Sequence, residues 1–251
     1  MNPPTTHPDE LQARHELAAC YRLFDHLGWA EMIFNHITLR LPGGTASNPH
    51  YLINPFGLHY SEVTADNLVK IDVHGHKVDD SPHLVNQAGF VIHGAIHVAR
   101  PDAHCVMHVH TTAGSAVSCK DSGLRHDNFY SAMLYGQVAF HDYEGVTTGL
   151  DERPRLVASL GGRHTLILRN HGLLVVGDSI PQAFQRLWTL QRACEIQLAS
   201  DAGLGPNRQI PADVLERVPA TRAGMQVDRE GNAHKMFHAL LRKAGIQTHQ
   251  P

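Results

Sequence analysis

The apolar run Ala103-His104-Cys105-Val106-Met107 leads straight into His108-Val109-His110 and is preceded by Arg100-Pro101-Asp102. Short, apolar and set off by a proline turn, it predicts a buried β-strand. Side chains alternate faces along a strand, so His108 and His110 share a face with Cα atoms about 7 Å apart, a reach that suits two imidazoles on one metal ion. The motif alone is weak: with 21 His in 251 residues, chance supplies about 1.7 His-x-His pairs, and two occur. The other, His74-Gly75-His76, lies in a polar stretch and reads as a solvated hairpin turn. His108 and His110 instead end a strand that passes into the small-residue helix Thr111–Val117, and strand ends are where α/β folds carry chemistry.

Around this strand the chain alternates helices and strands. Apolar residues at Leu11, Leu17, Ala18, Tyr21, Leu23, Phe24 and Leu27 predict an amphipathic helix stopped by Gly28. Strands are expected over Ile33–Leu41, His50–Asn54 and Leu68–Val73, a helix over Leu84–Ala99, a strand over Gly136–Phe140 and a helix over Pro154–Leu160. Thr165–Arg169 and Leu173–Val176 read as paired strands around the turn Asn170-His171-Gly172, and Ile180–Ser200 as a helix capped by Ser179. Two short helical stretches, Ala212–Val218 and His234–Ala244, follow. The pattern predicts an α/β fold: a three-layer α/β/α sandwich around a mixed, largely antiparallel sheet. Residues 1–8 read as a loose arm, 9–204 as the domain and 205–251 as a helical extension.

A net charge of −3 offers no basic field for nucleic acid. No apolar run approaches a membrane span and the first residues lack the order of a signal peptide, so a cytoplasmic location and no membrane partner are expected. Cys20, Cys105, Cys119 and Cys194 are widely spaced in apolar patterns and read as buried free thiols. No Gly-x-Gly-x-x-Gly joins a strand to a helix, which removes the simplest dinucleotide reading.

Together, Arg100-Pro101-Asp102, His108-Val109-His110-Thr111 and the run from Leu168 to Gly177 resemble the class II aldolase and adducin head-domain family. The likeness runs from about Leu17 to about Leu198. Phe34-Asn35-His36-Ile37-Thr38, Ile53-Asn54-Pro55-Phe56-Gly57 and Val85-Asn86-Gln87-Ala88-Gly89-Phe90 place it nearer the adducin side. The resemblance implies a homotetramer with sites at subunit contacts, and His108, His110 and His171 as metal ligands. Zinc is the default ion. An imidazole set without thiolate also accepts Mn, Fe, Co or Ni.

The departures bear on function. In the family's sugar-phosphate aldolases a Glu acts as acid and base, and alignment on His93 and Arg100-Pro101-Asp102 puts it at Gly89, which carries no proton. The family's phosphate-contacting Thr falls on Phe56 and an Asn on His36, although Thr38 keeps a hydroxyl. Phosphate requires hydroxyls, backbone donors or cations. The expectation is therefore a metal-dependent lyase, cleaving or decarboxylating a small non-phosphorylated oxo or hydroxy acid. Candidate proton carriers are His36, Tyr130 and Glu144; candidate substrate contacts are Thr38, Phe56, Gly57 and Gln87. The alternatives are a non-catalytic binding or scaffold domain, as adducin heads are, and a metal-dependent oxygenase. His93 and His97, spaced i, i+4, are read as packing residues, Glu62 as a helix-start carboxylate, and Arg169 and Asn170 as holding the turn at His171.

Overall fold

The computed structural model describes residues 8–146, 149–224 and 231–248. Its centre is the strand that the sequence singles out. Strand β4 (Cys105–Val109) is buried along its whole length because both edges and both faces are covered. It pairs antiparallel with β1 (His36–Gly44) on one side and β7 (Gly172–Gly177) on the other. With β2 (Pro49–Ile53), β3 (Val69–Ile71), β5 (Val138–His141) and β6 (Thr165–Leu168) these form a seven-stranded sheet in the order β3-β2-β1-β4-β7-β6-β5. Every pairing is antiparallel except β5 with β6, which the helix α5 (Arg153–Leu160) connects as a crossover.

The two faces are covered separately, giving the expected three layers. On one, α2 (Gln87–Ala99) and α5 pack Ile92, Ile96, Leu156 and Leu160 against Val106, Leu166, Leu174 and Val176. On the other, α1 (Pro8–His26) and α6 (Ile180–Asp201) bury Leu17, Phe24, Phe184 and Leu187 against Ile37, Met107 and Val175. Between β4 and β5 lie two short helices, α3 (Thr112–Ser118) and α4 (Phe129–Met133). After α7 (Ala212–Gly224), α8 (Gly231–Ala244) inserts Phe237 and Leu241 into the α1–α6 core, with Phe237 5.4 Å from the Phe184 ring.

Three cysteines are buried free thiols as expected, but Cys119 is exposed, because it caps the C-terminus of α3 instead of facing the core, and several boundaries also differ from the sequence expectation. β1 begins at His36, not Ile33, because Met32 takes a left-handed φ of 48° and Phe34 N–H closes a turn on Glu31. It then runs on through Pro42 to Gly44; the register shifts between Arg40 and Gly44, and a proline without an N–H is tolerated at such an irregularity. α2 starts at Gln87, capped by the Asn86 side chain, while Leu84 bridges to Phe56. The expected arm at 1–8 lies, apart from Pro8, outside the described residues.

A candidate metal centre and its histidine neighbours

Strand alternation decides which side chains meet. On β4, Cys105, Met107 and Val109 turn to α1 and α6, so Val106 and His108 turn to α2 and α5. On β1, Ile37 and Leu39 join the first group, which leaves His36 and Thr38 beside His108, with His36 directly opposite it in register.

His110 follows β4, and His171 comes from the β6–β7 turn. That turn is tightly fixed. Asn170 adopts φ 56°, a left-handed conformation that Asn tolerates. The Asn170 N–H donates to Ser118 O and the His171 N–H to Ser118 Oγ, both at 3.1 Å, while Ser115 Oγ donates to His171 O at 3.1 Å. Arg169 stacks 4.7 Å over Phe140, so it and Asn170 hold the bend as expected. A Cβ at Gly172 would lie 2.4 Å from Val109 O, so glycine lets the turn close against β4.

The result is three converging nitrogens. Nε2 of His108 lies 2.8 Å from that of His110 and 3.3 Å from that of His171, and the latter two are 2.8 Å apart. His108 Nδ1 donates to Leu173 O at 2.9 Å, which fixes the tautomer and leaves its Nε2 lone pair facing the other two. Burial, reinforced by the neighbouring imidazoles, holds His108 well below the usual imidazole range; burial also lowers His110, and lowers His171 to about 4. Neutral imidazoles are what a metal ion binds. Ligands on tetrahedral zinc, with bonds of about 2.05 Å, sit roughly 3.3 Å apart, so the donor set fits a divalent ion with little movement. Among the described residues this is the group of His, Cys, Asp and Glu with ligand atoms so gathered. His108 is buried while His110 and His171 are partly exposed, so the centre has an open side.

Beyond His108 lies a second histidine cluster. His36 Nδ1 is 3.0 Å from His93 Nε2; Thr38 Oγ1 is 2.8 Å from both His93 Nδ1 and His97 Nε2; His97 Nδ1 is 2.8 Å from Ala103 O. All four side chains are buried. Desolvation lowers His36 and His97 to about 3 and holds His93 well below the usual imidazole range. His93 and His97 do pack their helix to the sheet, as expected, but they do so by bonding to one another through Thr38. A Cβ on Gly89 would stand 2.7 Å from Ile53 Cδ1 and 3.4 Å from His36 Cγ, so any side chain at that position starts between Ile53 and the His36 ring.

The other expected site residues are distributed as follows. Glu144 shares a narrow cleft with His171, where the Arg155 guanidinium, bonding to it at 2.8 Å, lowers its carboxyl. Tyr130 lies on α4, against Phe129 and the core beside α6. Phe56, 37% exposed, and Gly57, at φ 98°, follow β2, and Gln87 opens α2. Glu62 accepts the His59 N–H at 2.8 Å in a capping box, its expected helix-start role. The sequence reading did not single out His141 and Glu152, which line the cleft with His171. His141 Nε2 donates to Glu152 Oε1 at 3.2 Å and its Nδ1 accepts from Ser159 Oγ at 2.9 Å. The only sequence signal is the acidic run that follows the strand, His141-Asp142-Tyr143-Glu144.

A cluster of three imidazoles at the end of the central strand of an α/β/α sandwich is a donor set that could hold a metal ion. Residues 15–198 match the family model described as the Class II Aldolase and Adducin N-terminal domain, and the chain belongs to that family. It is 44% identical to a Pseudomonas aeruginosa protein provisionally named an aldolase class 2 protein, over 95% of this chain and 91% of that one. It is 46% identical to alpha-adducin of Rattus norvegicus over 96% of this chain but 34% of the adducin. An aldolase II superfamily protein from Pseudomonas syringae has a similar structure, with TM-score 0.87, 42% identity and coverage of 95% and 94%. So does L-fuculose 1-phosphate aldolase from Glaciozyma antarctica PI12, with TM-score 0.79, 27% identity and coverage of 96% and 92%. The family resemblance and the fold expected from the sequence are thereby borne out.

Proposed function

We propose that the chain is a divalent-metal lyase that cleaves or decarboxylates a small, non-phosphorylated oxo or hydroxy acid. The observation that carries this is the convergence of the His108, His110 and His171 Nε2 atoms, with the His108 lone pair aimed inward by the Leu173 carbonyl. Zinc is the favoured ion, and when bound it would polarise a carbonyl or carboxylate oxygen and stabilise the charge released as a C–C bond breaks. The chain's own groups supply the rest. His36 stands beside His108 with ring centroids 5.2 Å apart, and the His141–Glu152 pair lies in the His171 cleft; these are the proton carriers that replace the glutamate absent at Gly89. Glu144, held by Arg155, shapes that cleft.

The non-phosphorylated substrate is supported by Phe56, an exposed aromatic at the position to which the family resemblance assigns a phosphate-contacting Thr. Exposed Phe34, Leu84 and Phe129 fit burial between subunits of a homo-oligomer. No helix among the described residues is long and apolar enough to cross a membrane. The rival is an adducin-like binding domain without catalysis, favoured by Gly89 and by the identity to alpha-adducin. Zinc-loaded protein, screened against oxo and hydroxy acids for release of carbon dioxide or aldehyde, decides between them. Turnover of an acid, with none of L-fuculose 1-phosphate, is the expected result. Turnover of the sugar phosphate alone would contradict the substrate reading, and turnover of neither would favour the binding domain.

A further inference from the structure

The bonded chain on the far side of His108 has a single self-consistent direction. It starts from a group with no hydrogen to give. The Ala103 carbonyl can only accept, so His97 Nδ1 carries a hydrogen and donates to it at 2.8 Å. A neutral imidazole has one N–H, so His97 Nε2 is an acceptor and the Thr38 hydroxyl donates to it at 2.8 Å. Thr38 Oγ1, its one hydrogen committed, accepts from His93 Nδ1 at 2.8 Å. His93 Nε2 is in turn an acceptor, and His36 Nδ1 donates to it at 3.0 Å. The chain ends at His36 Nε2, which keeps a lone pair and no hydrogen. Reversing the chain sets two acceptors against each other at Ala103, or requires a doubly protonated ring among groups that are 0–2% exposed.

We infer that Ala103, His97, Thr38 and His93 act as positioning residues that lock His36 in its Nδ1–H form, and that His36 Nε2 accepts a hydrogen bond from a substrate hydroxyl. The second half rests on the metal-lyase reading for what occupies the site; the first half does not. It narrows the substrate class. An acceptor nitrogen on a ring 5.2 Å from that of His108 favours a ligand with an O–H beside its metal-facing oxygens and offers nothing to a carbonyl or an ether, so hydroxy acids are selected over oxo acids. Gly89 belongs to the same arrangement, because the ring lies beside the space that a side chain at 89 would enter.

Long-range proton–nitrogen correlation spectra of 15N-labelled full-length protein, held in chelator, read the tautomers directly. His36, His93 and His97 are each expected to carry hydrogen on Nδ1 and none on Nε2; an Nε2–H on any of them overturns the locked chain. Thr38→Val is expected to leave His36 averaging between tautomers and Thr38→Ser to restore the single form. An unchanged His36 in Thr38→Val removes the positioning role, and if that variant does not fold, the wild-type tautomers decide. Lactate, 2-methoxypropanoate and propanoate serve as probes of the zinc-loaded protein. Lactate is expected to bind about three- to tenfold more tightly than its methyl ether, and this preference to vanish in His36→Phe. Equal affinity, or a preference that survives His36→Phe, overturns the hydroxyl contact. Zinc failing to bind at all sinks the lyase reading while leaving the tautomer result standing.

Discussion

Two sets of histidines lie on the same face of the same sheet and share a boundary at His36 and His108, yet they are wired oppositely. In the triad, His108 Nδ1 is tied outward to a backbone carbonyl, so its Nε2 lone pair faces the converging Nε2 atoms of His110 and His171. In the His36–His93–Thr38–His97 chain every imidazole lone pair except that of His36 Nε2 meets a donor, and the bonds run in series to Ala103. The first gathers three ring nitrogens at one point; the second strings donors and acceptors in series as far as His36. The roles of His108 and of His36 are thus set by what bonds the other ring nitrogen, and those bonds trace to a carbonyl, Leu173 for one and Ala103 for the other.

The contrast is broken most strongly by removing a ligand. His171→Ala should weaken zinc binding by at least about a thousandfold, near 4 kcal/mol, whereas Thr38→Val should change it less than about tenfold; competition against a chromophoric chelator measures both. In chelated protein the order reverses. Thr38→Val leaves two buried imidazole nitrogens without partners and should cost about 2–4 kcal/mol in urea unfolding, while His110→Ala, at a partly exposed ring, should cost under about 1 kcal/mol. Equal losses would mean that the two sets do not differ as described.

Acid sharpens the comparison further. Unfolded, imidazoles take up protons below about pH 6.5, but folded His97 stays neutral down to about 3 and burial likewise holds His93 well below the usual imidazole range. The unfolded state binds more protons through that window, so the stability these rings contribute is full above pH 7 and falls as pH drops from 6.5 toward 3. The slope is about 1.4 kcal/mol per pH unit for each ring, readable from urea midpoints of chelated protein. The smallest effect belongs to the second His-x-His. His74→Ala, in the exposed hairpin after β3, should alter stability by no more than about 0.5 kcal/mol and zinc binding not at all.

That pair shows what the sequence reveals and why. His74-Gly75-His76 and His108-Val109-His110 are identical in spacing, and only the apolar run before the second marks it as a strand end; the structure puts Gly75 at φ 81° in a turn and His108 in the sheet. Strand alternation and a Gly-containing bend made the triad legible together with the family likeness. The serial chain was not legible, because His36 and Thr38 come from β1 and His93 and His97 from α2, and their partnership exists only once that helix lies on that strand. Helix α4 escaped for a different reason: five residues with two buried positions carry no periodicity, and its start rests on the Asn128 cap. Glu152 escaped because it sits in a single 3-10 turn, close to His141 only in space.

Metal content per chain of protein purified without chelator, measured by mass spectrometry beside His108→Ala, shows whether the three imidazoles hold an ion. Close to one equivalent of a divalent transition metal is expected in the wild type and less than about a tenth in the variant. Less than about a tenth in the wild type after dialysis against zinc, or a content unaffected by His108→Ala, would contradict that expectation.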